Sequence, residues 1–157
     1  MSYSRVENLV IEGARLIFKN FAGEESKFNR KGNRNFCVIL DEDQAHELMD
    51  MGWNVKELNS REDEPPAYYI QVSVSFDNIP PKVLLISGRT KTVLDDTTID
   101  SLDYAEISNV DLIIRPYNWE VNGKTGVKAY LKTMYITVVV DEFASKYDDM
   151  EEDLPFI

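Results

Sequence analysis

Residues 109–140 read NVDLIIRPYNWEVNGKTGVKAYLKTMYITVVV, the segment of the chain with the strongest structural signal. It contains two long arms rich in β-forming residues, joined by Asn122-Gly123-Lys124-Thr125-Gly126. Asn-Gly between two such arms is among the strongest local signals for a β-hairpin. The sequence therefore predicts a long β-hairpin, to which the remaining strands add.

Alternate side chains of a strand share one face of the sheet, so each arm of the hairpin presents one mixed row. The rows are Ile113, Arg115, Tyr117 and Trp119 on the first arm, and Lys128, Tyr130, Lys132 and Met134 on the second. A turn of two or four residues places both rows on the same side, and a turn of three or five places them on opposite sides. The sequence leaves the two registers open.

Cations alternating with aromatic rings are typical of surfaces that bind phosphates and stack unpaired bases. We therefore predict that the hairpin contributes to a binding site for single-stranded nucleic acid. The alternative is that Tyr117 and Trp119 cap the end of a barrel while the cations lie solvated on an outer face.

Further candidate residues lie in three loops. The first loop contains FNRKGNR, the second follows a predicted strand as Gly88-Arg89-Thr90-Lys91, and the third is the hairpin turn. The candidates are Lys27, Phe28, Arg30, Lys31, Arg34, Arg89, Lys91 and Lys124. A basic loop with one aromatic ring suits closure over a nucleic acid strand. The alternative is that these side chains only keep the loops solvated.

The rest of the chain predicts six or seven strands and one or two short helices. Strands are expected over 6–20 with a bend at Gly13, and over 35–40, 53–58, 68–76 and 83–87. A helix is expected after an N-cap at Asp41 and before Gly52, and another over 96–104. This pattern favours an all-β class with minor α content, as an OB-fold-like barrel with helical and loop insertions; a sandwich is the alternative.

The charge of the chain is unevenly distributed. The net charge is -11, but residues 141–157 carry a net -6 and residues 41–64 a net -7, which leaves the remainder at +2. This distribution permits phosphate binding without predicting it. A single cysteine, Cys37, cannot form an internal disulfide. Without a signal-peptide pattern or an apolar run of about 20 residues, we expect a cytoplasmic protein.

Enzymatic functions have weak support in the sequence. Gly123-Lys124-Thr125 lacks the earlier glycine and the strand-loop-helix setting of a phosphate-binding loop. One histidine, His46, and one cysteine provide no zinc site and no Cys–His pair. We therefore expect no catalytic residue and no cofactor. The alternative is a metal-dependent nuclease that uses the carboxylates Asp95, Asp96, Asp100 and Asp103.

Residues 141–157 read DEFASKYDDMEEDLPFI and are expected to form a disordered tail beyond a domain at 1–140. The acidic run ends in a compact apolar tip, which indicates a peptide that docks on partner proteins. The candidate docking residues are Asp149, Glu151, Glu152, Asp153, Leu154, Pro155, Phe156 and Ile157. The tail could also compete for the chain's own cationic groove, and the whole chain could be an acidic interaction module or nucleic-acid mimic.

Two parts of the sequence resemble known families. EEDLPFI resembles the acidic tip of bacterial single-stranded DNA-binding proteins, in which phenylalanine is the last residue, whereas here Ile157 follows Phe156. GNRNFCVIL, WNVK, QVSVSF and NVDLIIRPYNWEVNGKTGVKAYL are similar to segments of single-stranded DNA-binding proteins of bacterial viruses.

The resemblance covers most of residues 9–140 and implies an OB fold and sequence-independent binding of single-stranded DNA in the host cell cytoplasm. It also implies a role in phage DNA replication or recombination, with replication or recombination proteins recruited through the tail. A homo-oligomer is compatible with the sequence, which does not give the oligomeric state.

Overall fold

The computed structural model of the chain describes residues 7–58, 63–77 and 79–140. Within these ranges it has nine strands, one α-helix and one short 3₁₀-helix. The strands are β1 (Leu9–Ile11), β2 (Leu16–Asn20), β3 (Arg34–Leu40), β4 (Val55–Leu58), β5 (Ala67–Val74), β6 (Lys82–Ser87), β7 (Thr90–Leu94), β8 (Ile107–Val121) and β9 (Lys124–Val138). Helix α1 spans Glu42–Asp50, and the 3₁₀-helix spans Ile99–Asp103. Neither has the length and apolar character of a membrane span. The predicted tail lies outside the described residues.

The strands form one curved sheet in the order β1-β8-β9-β5-β3-β2, with β4 on β5, β6 on β9 and β7 on β6. The two ends of this order, β1 and β2, are separated in the chain by only residues 12–15. The sheet therefore curls back on itself, although no ladder joins β1 to β2 in the described residues. The predicted class, mostly β with minor α in an OB-like arrangement, is confirmed, and the barrel is open rather than closed.

The predicted bend at Gly13 lies between β1 and β2. Gly13 has φ +62, a left-handed conformation that glycine adopts without strain. Its N–H donates to Asp111 Oδ1 at 2.9 Å, and the N–H of Ala14 donates to the Val110 carbonyl at 2.8 Å. The bend lets β1 pair with β8 while β2 pairs with β3.

The turn of the long hairpin contains two residues, Asn122 and Gly123. Their φ values of +51 and +79 are those of a type I′ turn, whose twist matches that of the flanking strands. Val121 pairs with Lys124, so the remainder of the predicted loop continues as strand. This even register places the two rows on the same side of the ribbon.

A bulge interrupts the ladder between β8 and β9. Ile113 pairs with Thr133 and Ile114 with Leu131, so Lys132 has no direct partner. Because the bulge shifts the alternation of β9 by one residue, Met134 is fully buried. The prediction that Met134 shares a face with Lys128 and Tyr130 was wrong for this reason.

The core lies on the inner face of the curved sheet. The rings of Phe21 and Phe36 stack there with centroids 5.1 Å apart, and both side chains are fully buried. Helix α1 covers one end of this core with Ala45 and Leu48. As predicted, Asp41 is its N-cap, because its Oδ1 accepts a hydrogen bond from the Gln44 N–H at 2.7 Å.

The chain after α1 contacts the hairpin directly. Gly52 has φ +95, and its carbonyl accepts a hydrogen bond from the Val127 N–H at 3.1 Å. Trp53 is buried next to it and forms a parallel bridge with Val127. The end of the helix therefore holds β9 one residue before Lys128.

The short helix predicted over 96–104 is the 3₁₀-helix Ile99–Asp103. Its last residue, Asp103, accepts hydrogen bonds from the N–H groups of Phe21 at 2.7 Å and Ala22 at 2.9 Å. Lys19 Nζ donates to the Leu102 carbonyl at 2.9 Å. These contacts hold the start of the loop over residues 21–33.

We expect Asp103→Ala to lower the free energy of unfolding by about 1–3 kcal/mol, because two part-buried N–H groups lose their acceptor. Urea unfolding measures the change. Asp100→Ala, an exposed position on the same 3₁₀-helix, is the matched control and should change stability by less than about 0.5 kcal/mol. Equal effects of the two substitutions would contradict the role of Asp103.

Candidate nucleic-acid interface

The two rows of the hairpin converge on Tyr130. The Arg115 guanidinium carbon lies 5.3 Å from the centroid of its ring, and Lys128 Nζ lies 4.9 Å from it. The Tyr117 ring meets it edge-on, with centroids 6.0 Å apart and an interplanar angle of 90°. Cations at these distances are attracted to the face of an aromatic ring. We call Arg115, Tyr117, Lys128 and Tyr130 the Tyr130 cluster.

Trp119 extends this surface toward the end of the hairpin. It lies opposite Gly126, and a Cβ built on Gly126 would lie 2.6 Å from Trp119 Cζ2. The indole therefore covers the glycine backbone. Gly126 was predicted as part of the turn, but it is a residue of β9 against which the Trp119 ring packs. Trp119 is 37% exposed and lines a small cleft of about 170 Å³ together with Gln71 and Lys128.

A larger groove of about 530 Å³ lies beside the Tyr130 cluster, between the loop over 21–33 and the outer face of β5 and β9. Lys128 and Tyr130 line one side, and Phe28 and Arg34 line the other. Other lining groups are amides, hydroxyls, the Phe76 ring and two carboxylates: Asn29, Asn33, Asn35, Gln71, Ser73, Ser75, Phe76, Asp77 and Asp96. The groove thus combines rings, cations and neutral hydrogen-bonding groups.

Internal hydrogen bonds fix the loop that forms the far wall. Asn29 Nδ2 donates to the carbonyls of Glu24 at 2.8 Å and Asn33 at 3.0 Å, and Asn35 Nδ2 donates to Asn29 Oδ1 at 2.9 Å. Phe28 projects from this frame with 91% of its surface exposed, and Lys27 Nζ lies 5.7 Å from its ring centroid. An almost fully exposed ring on a fixed loop is available for stacking.

Arg34 supports the wall of the groove. Its Nη1 donates to the Phe21 carbonyl at 2.7 Å, its Nη2 donates to the Asp96 carbonyl at 2.9 Å, and the guanidinium lies over the Phe76 ring at 5.9 Å. Much of its hydrogen-bonding capacity is therefore used inside the protein. Arg30 and Lys31 belong to the same loop but do not line the groove.

The remaining predicted cations lie apart from the Tyr130 cluster to different degrees. Lys124 is exposed at the start of β9, in the same alternation as Lys128, and Lys132 is exposed at the bulge. Arg89 is in the β6–β7 turn, and Lys91 pairs with Ile86, which lies beside Thr137 of β9. Thr137 is seven residues from Tyr130, or about 23 Å along the strand. The structure does not bring Arg89 and Lys91 to the cluster.

Three residues that sequence reasoning did not select line an adjoining cleft of about 430 Å³: Phe18, Lys56 and Tyr69. This cleft shares Phe28, Asn29, Asn35 and Gln71 with the larger groove. A signal for Tyr69 was present, because the alternation of β5 places it on the same face as Gln71 and Ser73. Nothing in the sequence pairs Phe18 with Tyr69.

Two of the four proposed nuclease carboxylates, those of Asp95 and Asp103, accept hydrogen bonds within the protein. Hydrogen bonds from the side chain and N–H of Thr97 lower the pKa of Asp95, and Asp103 holds the backbone of Phe21 and Ala22. Among the residues that the structure describes, no group of three or more His, Cys, Asp or Glu side chains is arranged to hold a metal ion. Burial raises the pKa of Cys37 to about 11, although nearby Lys56 lowers it, so this thiol is protonated at neutral pH.

The fold and this surface define a mostly-β, OB-like protein with an aromatic and cationic outer face. The family model described as "Putative phage ssDNA-binding domain" matches residues 1–155. The chain belongs to this family of bacteriophage single-stranded DNA-binding proteins, in agreement with the resemblance seen in its sequence.

The solved structures similar to this chain include the single-stranded DNA-binding protein from bacteriophage Enc34 in complex with single-stranded DNA. That match has a TM-score of 0.55 and 13% identity, and covers 87% of this chain and 88% of the other. A C-terminal truncation of the Enc34 protein matches with a TM-score of 0.54 and 13% identity, covering 87% of each chain. At this identity the likeness concerns the fold. No curated protein gives a significant match in sequence.

We expect Gly126→Ala to displace the Trp119 indole, because the added methyl group would overlap its ring. The fluorescence emission of Trp119 should shift to the red, and its quenching by acrylamide should increase. The change can be assigned to Trp119 because Trp53 is buried. Trp119→Phe is the control that identifies its share of the emission. An emission spectrum of Gly126→Ala identical to that of the parent would contradict this seating of the indole.

Proposed function

We propose that this chain binds single-stranded DNA without sequence preference and without enzymatic activity, and thereby keeps the strand from re-pairing and from nucleases. The observation that carries the proposal is the Tyr130 cluster, in which two cations and two aromatic rings meet, and from which Lys128 and Tyr130 line the wall of an open groove. Family membership and the fold shared with a protein solved in complex with single-stranded DNA support it.

Each kind of side chain in the Tyr130 cluster and the clefts beside it has a separate role in this proposal. Tyr117, Trp119 and Tyr130 offer ring faces or edges to bases, and every base has a π-face, so stacking tolerates any sequence. Lys128 and Arg115 neutralise the adjacent phosphates. The amides and hydroxyls of Asn35, Gln71 and Ser73 hydrogen-bond to the strand without requiring one base.

The net charge of -11 does not oppose this function, because most of the acidic excess is concentrated in two segments of the sequence. Residues 41–64 and 141–157 hold 16 of the 28 acidic residues. None of the residues of 41–64 that the structure describes lines the groove. Asp77 and Asp96 do lie in the lining. Phosphates therefore meet a locally cationic cluster bordered by two carboxylates, and we expect moderate affinity with a clear dependence on salt.

The first test is a titration of a labelled oligonucleotide at low and moderate salt, followed by fluorescence anisotropy. We expect affinity to fall as salt rises. Tyr130→Ala should weaken binding by about 1–3 kcal/mol through lost stacking, and Lys128→Ala should reduce the salt slope by about one.

Lys91→Ala is the matched control for Lys128→Ala, because it removes the same charge at a distant position. Lys91 is in β7, and the β6–β7 hairpin lies beside the end of β9 that is remote from the cluster. It should bind like the parent. Absence of binding by the parent, or binding that is indifferent to salt, would refute the proposed function. A larger effect of Lys91→Ala than of Lys128→Ala would move the site to the β6–β7 hairpin.

We propose further that the protein acts in phage DNA replication or recombination in the host cytoplasm, and that residues 141–157 recruit other proteins. The composition of this segment and its resemblance to the bacterial acidic tip support the proposal. The candidate docking residues remain those from Asp149 to Ile157, in a segment distinct from the domain at 1–140.

Deletion of residues 148–157 tests the role of the tail. DNA binding should be unchanged or tighter, because the deletion removes five acidic residues that would repel or compete with the phosphates. Capture of replication or recombination proteins from an infected-cell extract should be lost. Weaker DNA binding after the deletion would contradict competition between the tail and DNA, and unchanged capture would contradict recruitment through this segment.

A further inference from the structure

Phe18 has an unusual backbone conformation for an aromatic residue in a strand. Its φ is +51, in the left-handed region that bulky residues rarely adopt. It lies where the β2–β3 register shifts between Ile17 and Asn20, and 62% of its surface is exposed. Glycine would adopt this φ without strain. The chain instead has an aromatic residue at this position, and the core does not bury its ring. Strain of this kind is concentrated at functional sites.

The ring of Phe18 is part of a second aromatic and cationic group. It meets the Tyr69 ring edge-on, with centroids 5.9 Å apart and an interplanar angle of 75°. Lys56 of β4 pairs with Tyr69 and is exposed. The three side chains line the cleft of about 430 Å³ on the outer face of the sheet. This group therefore has the same chemistry as the Tyr130 cluster, on different strands.

The second group is continuous with the larger groove. The two clefts share Phe28, whose ring is 91% exposed, and the polar residues Asn29, Asn35 and Gln71. Along β5, Tyr69 is four residues from Ser73, which pairs with Tyr130. This separation is about 13 Å. It corresponds to about four nucleotides at the spacing of about 3.4 Å per nucleotide in a stacked strand.

We infer that Phe18, Tyr69 and Lys56 form a second base-stacking site for the same DNA strand, with Lys56 facing a phosphate. This inference rests on the proposed function and extends it from one cluster to a track of two. Phe28 lies between the two sites, where it stacks with an intervening base. The ligand class is an unpaired nucleobase with its adjacent phosphate.

The test measures affinity for an oligothymidylate of about 12 nucleotides, a length within the range that one OB fold covers. Phe18→Leu keeps a Cβ and apolar bulk but removes the ring, and should weaken binding roughly 5- to 150-fold, the range expected for one lost stacking contact. Phe18→Gly should weaken binding as much and unfold at a temperature no lower than the parent's, because glycine relieves the strain. Phe18→Trp should retain the affinity of the parent.

Tyr104→Ala is the control, because Tyr104 is an 85% exposed aromatic residue outside both clefts. It should bind like the parent. Parental affinity of Phe18→Leu would overturn the inference, as would a lower unfolding temperature of Phe18→Gly with unchanged affinity, which would make Phe18 a packing residue. If Phe18→Gly does not fold, Phe18→Leu alone decides.

The same experiment separates this inference from the proposed function. If the parent does not bind the oligothymidylate, the proposed function fails. If the parent binds and Tyr130→Ala weakens that binding while Phe18→Leu does not, the function stands and the second site is refuted.

Discussion

The register between β8 and β9 is the constraint on which the candidate site depends. A two-residue turn with positive φ at Asn122 and Gly123 pairs Arg115 with Tyr130 and Tyr117 with Lys128. Residues directly opposite in an antiparallel pair share a face and approach closely, so the cations reach the face of the Tyr130 ring. A turn one residue longer would place the two rows on opposite sides of the ribbon, and the cluster would not exist.

The rest of the fold supports this register from both faces of the sheet. The chain that follows α1 hydrogen-bonds to the backbone of β9 through Gly52 and Val127, and on the inner face the bulge at Lys132 returns Met134 to the core. On the outer face, Gly126 leaves room for the Trp119 ring. Asp103 holds the start of the loop that forms the opposite wall of the groove. Few of these residues face the groove, yet together they define its shape.

The sequence predicted the elements whose signals are local. The Asp41 cap, the bend at Gly13 and the Asn-Gly hairpin each depend on a few neighbouring residues, and each is found. The errors and omissions depend on non-local pairing. The bulge that buries Met134 has no local signature in the sequence. The parallel pairing of β6 with β9 places Arg89 and Lys91 far from Tyr130. Phe18 contacts Tyr69 only because β2 and β5 both flank β3. The role of the tail stays a prediction.

Photo-cross-linking would show whether one outer face of the sheet binds the strand. Oligothymidylate carrying 5-iododeoxyuridine would be irradiated in complex with the full chain, and the cross-linked residues located by mass spectrometry. We expect cross-links at Tyr117, Trp119 and Tyr130, with Phe18, Phe28 and Tyr69 labelled from other positions of the same strand. Cross-links confined to the β6–β7 hairpin or to Tyr104, with none at Tyr117, Trp119 or Tyr130, would contradict binding at this outer face.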